Sequence, residues 1–218
     1  CMNGASAIHL SIFGMHPVVR HGSEELRQRY LPRVAAGDLH VAFGVTEPDA
    51  GLDTTAIRTR AVPDGAGYRI TGRKVWTSKA LESERVLLLT RTTPAGECTK
   101  RTDGLTLFVA PLNDAAVTVR PISKLGRNAV ASCEVTYDGL YVSASDRVGE
   151  EGRGFTYLLD GLNAERVLIA AEALGTGRAA LRRAAAYAKN RTVFGRPIGQ
   201  NQGIAFPLAE AHTRLGAA

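Results

Sequence analysis

Between residues 40 and 148 the chain keeps a period of two. "LHVAFGVT", "AIRTRAVP", "GYRITGRKVWTS", "ERVLLLTRT", "GLTLFVAPL", "VTVRPI" and "SCEVTYDGLYV" are short, alternating or β-branched, and turn clusters such as "PDGAG" and "TPAGE" separate them. Alternating side chains line the two faces of a strand. Many short strands at close spacing, with no helical stretch between them, predict an antiparallel sheet or barrel. No repeat or low-complexity segment competes with that reading.

The flanks change period. In "GSEELRQRYLPRVAAGDL", Ser23 is a good N-cap, acids fill the first turn, and Gly37 stops the helix. After "EEGRGF" the chain turns helical again. "FTYLLDG" predicts a short helix, Gly161–Leu162–Asn163 a break, and Asn163 the cap of a helix from 164 to about 190, roughly 40 Å at about 1.5 Å per residue. A further helix starts near Asn201 and is still running at Ala218. The expected fold is α+β: a helical segment over 1–39, an antiparallel barrel-like β domain over 40–149, and the start of a C-terminal helical bundle over 150–218. The run-on helix, and Cys1 standing before Met2, predict a chain incomplete at both ends.

Composition narrows the function classes. The chain has 218 residues, 44% hydrophobic and 22% charged, which permits a real core. No apolar run of about 18 residues predicts a membrane span. Cys1, Cys98 and Cys133 form no CxxC pair and the five histidines form no HExxH, so no metal site and no disulfide framework is expected, and a reducing cytoplasm suits the chain. Net charge is +6, with +4 over residues 151–218 and +1 in each of 1–40 and 41–150. A local basic excess favours an anionic ligand near the last helices over nucleic acid, though composition alone favours a solvated basic helix face.

Three stretches can carry chemistry. In "FGVTEPDAGLDTT" (43–55), Pro48, Asp49 and Gly51 make a turn that can leave N–H groups facing an anion, beside the Thr46 hydroxyl. An ordinary hairpin connection fits the same residues. "GRKVWTS" (72–78) holds the only tryptophan, Trp76, which is either core or a platform for a planar ring whose edge Thr77 or Ser78 would bond. In "NRTVFGRPIGQNQG" (190–203), Arg191 and Arg196 could clamp a phosphate and Phe194 cover a ring, or the stretch is a solvated connection. No GxGxxG and no GxxxxGK[ST] is present.

Taken in order, "VTEPDAG", "GRKVWTS", "GFTYLLDGLNAERVLIAAEALG" and "RTVFGRPIGQNQG" resemble the acyl-CoA dehydrogenases over nearly the whole chain. That resemblance implies an N-terminal helical domain, a central β domain and a C-terminal four-helix domain, with FAD between the last two, and usually a homotetramer built as a dimer of dimers. By motif, Phe43, Val45 and Thr46 would lie along the flavin, with Thr46 on its pyrimidine edge. The turn through Gly51 and Leu52 would meet the pyrophosphate. Trp76 would flank the isoalloxazine, with Ser78 near N5. Arg191, Phe194 and Gln202 would reach the FAD of a neighbouring subunit. Leu52 stands where the family commonly has Ser or Thr, Ser78 where Thr is common, and "RNAVASCE" (127–134) where more hydroxyls surround the CoA site. The catalytic glutamate of most members lies far beyond Ala218.

"LNAERVLIAAEALG" (162–175) is rich enough in Ala, Leu, Ile and Val to be expected in a core, yet it holds Glu165 and Glu172. With Asn163 as cap, Glu165 would sit at N2, where the helix dipole favours a carboxylate by about 0.3–1 kcal/mol. Glu172, seven residues on, faces nearly the same side and would pair with an arginine of another helix. The isovaleryl-CoA and long-chain acyl-CoA dehydrogenases carry their base on this helix in a Glu-Arg pair matching Glu165–Arg166. The resemblance therefore implies that Glu165 removes the α-proton of an acyl thioester while hydride leaves the β-carbon for the flavin, with Arg166 ordering the substrate pocket. Electrons would pass to an electron-transferring flavoprotein. The other readings are a flavin oxidase or monooxygenase on the same fold, a DNA-binding stress-response relative, and an inactive fragment.

Overall fold

The computed structural model describes residues 2–218. Helix α1 (Met2–His21) leads into α2 (Glu24–Ala36). The caps of α2 are those expected. The Ser23 hydroxyl accepts from the Leu26 N–H at 3.1 Å. Gly37 ends the helix in the left-handed region at φ 84°, which costs glycine little.

The strands are β1 (Val41–Gly44), β2 (Arg60–Asp64), β3 (Gly67–Ser78), β4 (Arg85–Arg91), β5 (Leu105–Pro111), β6 (Val117–Pro121), β7 (Ser132–Ser143) and β8 (Arg147–Val148). They form one sheet in the order β6-β7-β3-β2-β4-β5-β8, with β1 also on β4. Most pairs are antiparallel, as expected, with two parallel exceptions. β1 runs parallel to β4 from Val41/Arg85 to Gly44/Leu88, and β2 meets β4 in parallel at Arg60/Arg91. The chain thus leaves β4 after Gly44 and returns three places further along the same edge at Arg60. Residues 45–59 are an excursion from one sheet edge rather than a hairpin turn.

Alternation in β4 and β5 divides the core. Leu87, Leu89, Leu105, Leu107 and Val109 pack with Val18, Leu26, Tyr30 and Leu158. Val86, Leu88, Phe108 and Ala110 pack with Ile70, Val135, Leu140 and Val142 on the other face. Each Leu, Ile, Val or Phe among them contributes about 1.5–3 kcal/mol by burial. Both faces are covered, so these two strands read as near-continuous apolar runs.

Helix α3 runs unbroken from Gly154 to Asn190. The expected break at 161–163 is absent, and Asn163 lies within the helix rather than at its start. Gly161 is there for space: a Cβ on it would lie 3.1 Å from the Phe13 carbonyl oxygen and from the Pro17 ring of α1. Phe155, Leu158 and Leu162 recur at helical spacing and join the α1–α2 side of the core.

The chain divides into two compact units, residues 3–165 and, in the main, residues 166–218. The second comprises the rest of α3, a hairpin of β9 (Thr192–Val193) and β10 (Arg196–Pro197), and α4 (Gln202–Ala217). Its helices approach closely at Gly177, where a Cβ would meet the Leu215 side chain at 2.8 Å. The apolar run of α3 is not buried as expected: Val167 is 70% exposed and Ile169 is exposed too, as are Tyr187 further along α3 and Phe206 of α4. Two helices bury only the faces they turn to each other.

Candidate active site

Where the chain departs from β1, three consecutive residues are tied to β3. The Val45 carbonyl accepts from Lys74 Nζ at 2.9 Å, the Thr46 carbonyl from the Val75 N–H at 2.9 Å, and Glu47 Oε1 from Lys74 Nζ at 2.9 Å. Glu47 also accepts the Arg58 N–H at 2.7 Å and the Thr59 N–H at 2.9 Å. Glu47 is 7% exposed and Lys74 0%. Burial pushes the Glu47 carboxyl up, but Lys74 and these donors hold it below the ordinary carboxylate range. Burial draws Lys74 down to about 8 against the pull of Glu47.

Opposite β7, β3 carries a bulge. Lys74 pairs with Val135 and Thr77 with Cys133, so β3 uses one residue more than its partner. Bulges of this kind re-aim side chains. Trp76 lies in it at φ 61° and is 58% exposed, so the sole tryptophan is not a core residue. Ser78, half-buried, continues the ladder opposite Ser132. Phe43, half-buried, has its ring edge-on to Phe13 at 5.2 Å.

The excursion then exposes backbone. Glu47 and Ala50 exchange backbone bonds of 3.1 and 3.2 Å around Pro48 and Asp49. Beyond them Gly51 is open and Leu52 fully exposed. Asp53 is bonded by Thr55 Oγ1 at 2.6 Å and by Arg101, which together hold its carboxyl below the ordinary range. Lys124 bonds Ser132 Oγ at 3.0 Å and so closes the 124–132 connection, where Arg127 also has positive φ.

Structure brings Phe43, Val45, Thr46, Gly51, Leu52, Trp76 and Ser78 into one unit, on β1, the excursion that leaves it and the strand that anchors that excursion. Glu165 is half-buried and belongs to the same unit; Arg166 is exposed and opens the next. Glu165 lies about three turns into α3, so it is not at N2 and the helix dipole does not account for it. Glu172 is half-buried on the same helix. In the second unit Phe194 turns the β9–β10 hairpin at φ 53° with its ring fully exposed. Arg191 and Gln202 are exposed, and Arg196 is bonded to Asn201 Oδ1 at 2.8 Å. A groove of about 300 Å³ lies among Arg178, Leu181, Arg182, His212, Leu215 and Gly216, none of them a candidate residue. Among the described residues no three His, Cys, Asp or Glu side chains gather as a metal site, and no helix is long and apolar enough to cross a membrane. Cys98 and Cys133 are free thiols; Cys1 lies outside the described residues.

The Glu47–Lys74 pair is the feature that sequence reading missed. Its two members stand within the quoted motifs, but no local period relates residues so far apart.

The unit thus holds an exposed indole on a bulge, hydroxyl side chains at Thr46 and Ser78, and an exposed turn at Gly51 and Leu52. Sequence comparison identifies the family. Residues 1–38, 42–140 and 152–218 match the profiles for "Acyl-CoA dehydrogenase, N-terminal domain", "middle domain" and "C-terminal domain". The chain belongs to the acyl-CoA dehydrogenase family. It is 36% identical over 213 residues to an acyl-CoA dehydrogenase of Bacillus subtilis, covering 97% of this chain and 55% of that protein. A glutaryl-CoA dehydrogenase solved as its glutaryl-CoA complex superposes with a TM-score of 0.94 at 27% identity, over 100% of this chain and 54% of that one. A glutaryl-CoA dehydrogenase of Mycobacterium smegmatis, solved with FADH2, gives 0.85 at 32% identity, over 93% and 50%. Members of the acyl-CoA dehydrogenase family are FAD-dependent oxidoreductases, and this chain spans about half the length of the relatives it matches.

Proposed function

We propose that this chain is the flavin-edge and base-bearing part of an FAD-dependent acyl-CoA dehydrogenase that forms the trans-2-enoyl-CoA. The observation that carries the reading is the Trp76 bulge anchored to the Val45–Glu47 excursion, with Glu165 half-buried in the same unit. Phe43, Val45, Thr46, Trp76 and Ser78 hold the ring, and the backbone at Gly51 and Leu52 meets the pyrophosphate. Leu52 offers no hydroxyl, so only backbone N–H groups serve there. Arg191, Phe194 and Gln202 contact the flavin of a neighbouring subunit in a homodimer or homotetramer. The division at 1–39, 40–149 and 150–218 belongs to this reading.

When bound, FAD supplies the acceptor for the hydride of the β-carbon. Glu165 takes the α-proton, for which it needs a carboxylate at the α-carbon in a site whose dryness lifts its basicity toward the working pH. Arg166 orders the thioester pocket. Electrons leave to an electron-transferring flavoprotein, and the cysteine pattern suits a cytoplasmic protein.

Anaerobic absorbance of the FAD-loaded protein, titrated with short, branched and long acyl-CoAs, tests the reaction. Bleaching of the oxidised flavin band by at least one thioester is expected. Bound flavin that no acyl-CoA bleaches contradicts dehydrogenation and favours an oxidase, monooxygenase or non-catalytic relative.

A further inference from the structure

Glu47 and Lys74 are buried and charged, and the proposed chemistry uses neither. Together with the Val75 N–H they fasten Val45, Thr46 and Glu47, one after another, to β3 at the residue before the bulge. On the other side of β3 the β7 ladder resumes only at Thr77. Trp76 is therefore held between two fixed points at a backbone angle that a bulky residue keeps only where its surroundings over-determine it. An ion pair is a costly way to fill a core, since an apolar pair of the same volume is often as stable. What it adds is direction: one ammonium reaches both the Val45 carbonyl and the Glu47 carboxylate, and that carboxylate also bonds two backbone N–H groups.

We infer that the Glu47–Lys74 pair is the positioning device of the candidate flavin site. It locks Val45–Glu47 onto the β3 bulge and thereby fixes the Trp76 indole and the Thr46 hydroxyl. This rests on the flavin reading above for what the site binds, but not for what the pair does to Trp76.

The sole tryptophan reports on itself. Acrylamide quenching of Trp76 is measured in the flavin-free chain for wild type, Lys74→Met and the charge-neutral double variant Glu47→Gln/Lys74→Met, with folding followed by far-UV circular dichroism. Asp146→Asn is the control. It strips a buried carboxylate from Arg29 and Tyr30 of α2, away from the bulge. Both Lys74 variants are expected to change the quenching constant about twofold or more and to weaken FAD binding about tenfold. Asp146→Asn is expected to lower the melting temperature and leave quenching unchanged. If Lys74→Met does not fold, the double variant, which leaves no buried charge unpaired, carries the test. Folded variants with wild-type quenching overturn the inference. A wild-type chain that binds no FAD while its variants still shift Trp76 overturns the flavin reading and leaves the positioning role standing.

Discussion

Trp76 is held at φ 61° with most of its ring outside the core, a conformation that costs a non-glycine residue roughly 1–2 kcal/mol. Little packing is lost with the side chain, and glycine at this angle relieves the strain against about 0.5–1 kcal/mol of backbone entropy. Trp76→Gly is therefore expected to melt within a few degrees of wild type while its FAD affinity falls, measured by thermal denaturation and flavin-fluorescence titration. Glu47 makes the opposite kind of contribution. Its carboxyl is held below the unfolded value of 4.5, so the unfolded chain binds the proton first. The stability this supplies is complete above that pH and is lost as pH falls through the lower folded value. Melting temperature should drop on acidification below about pH 4.5, and Glu47→Gln, already less stable at neutral pH, should show a shallower acid limb.

At the level of elements, three glycines on α3 differ in what surrounds them. A Cβ on Gly154 would lie 2.7–2.8 Å from the backbone of Thr106 and Leu107, which cannot yield. Gly154→Ala should cost about 1–3 kcal/mol by overpacking. Gly177 faces only the mobile end of Leu215. Gly177→Ala should be neutral or gain up to about 1 kcal/mol from helix propensity, as denaturant melts of the two variants would show. Gly161 makes α3 look like two helices in sequence, because a glycine at a close approach to α1 resembles a glycine that ends a helix. Where local chemistry decides, sequence was a good guide. The Ser23 cap, the Gly37 stop and the whole span of β3 stand as expected. The β3 bulge was hidden because one extra residue shifts register without spoiling a short alternation. The parallel seating of β1 depends on a partner chosen across the sheet. Glu165 stands out only through its neighbour Arg166 and the family motif; its depth in an unbroken helix has no local signal.

Across the molecule, stability should be uneven. Val86–Leu89 and Leu105–Ala110 are fully buried, with cores on both faces of their strands, whereas in residues 166–218 Val167, Ile169, Tyr187 and Phe206 are exposed. Hydrogen exchange followed by mass spectrometry should find the slowest amides in β4 and β5 and markedly faster exchange beyond Arg166. Residues 166–218 sum to +6, the whole net charge of the chain. The account as a whole turns on Glu165. The most direct test is single-turnover flavin reduction in Glu165→Gln, with FAD content measured alongside. Retained flavin with reduction by acyl-CoA slowed about 10²–10⁴-fold, the usual worth of a positioned general base, is predicted. Reduction at the wild-type rate would place the base elsewhere and contradict the role given to this helix.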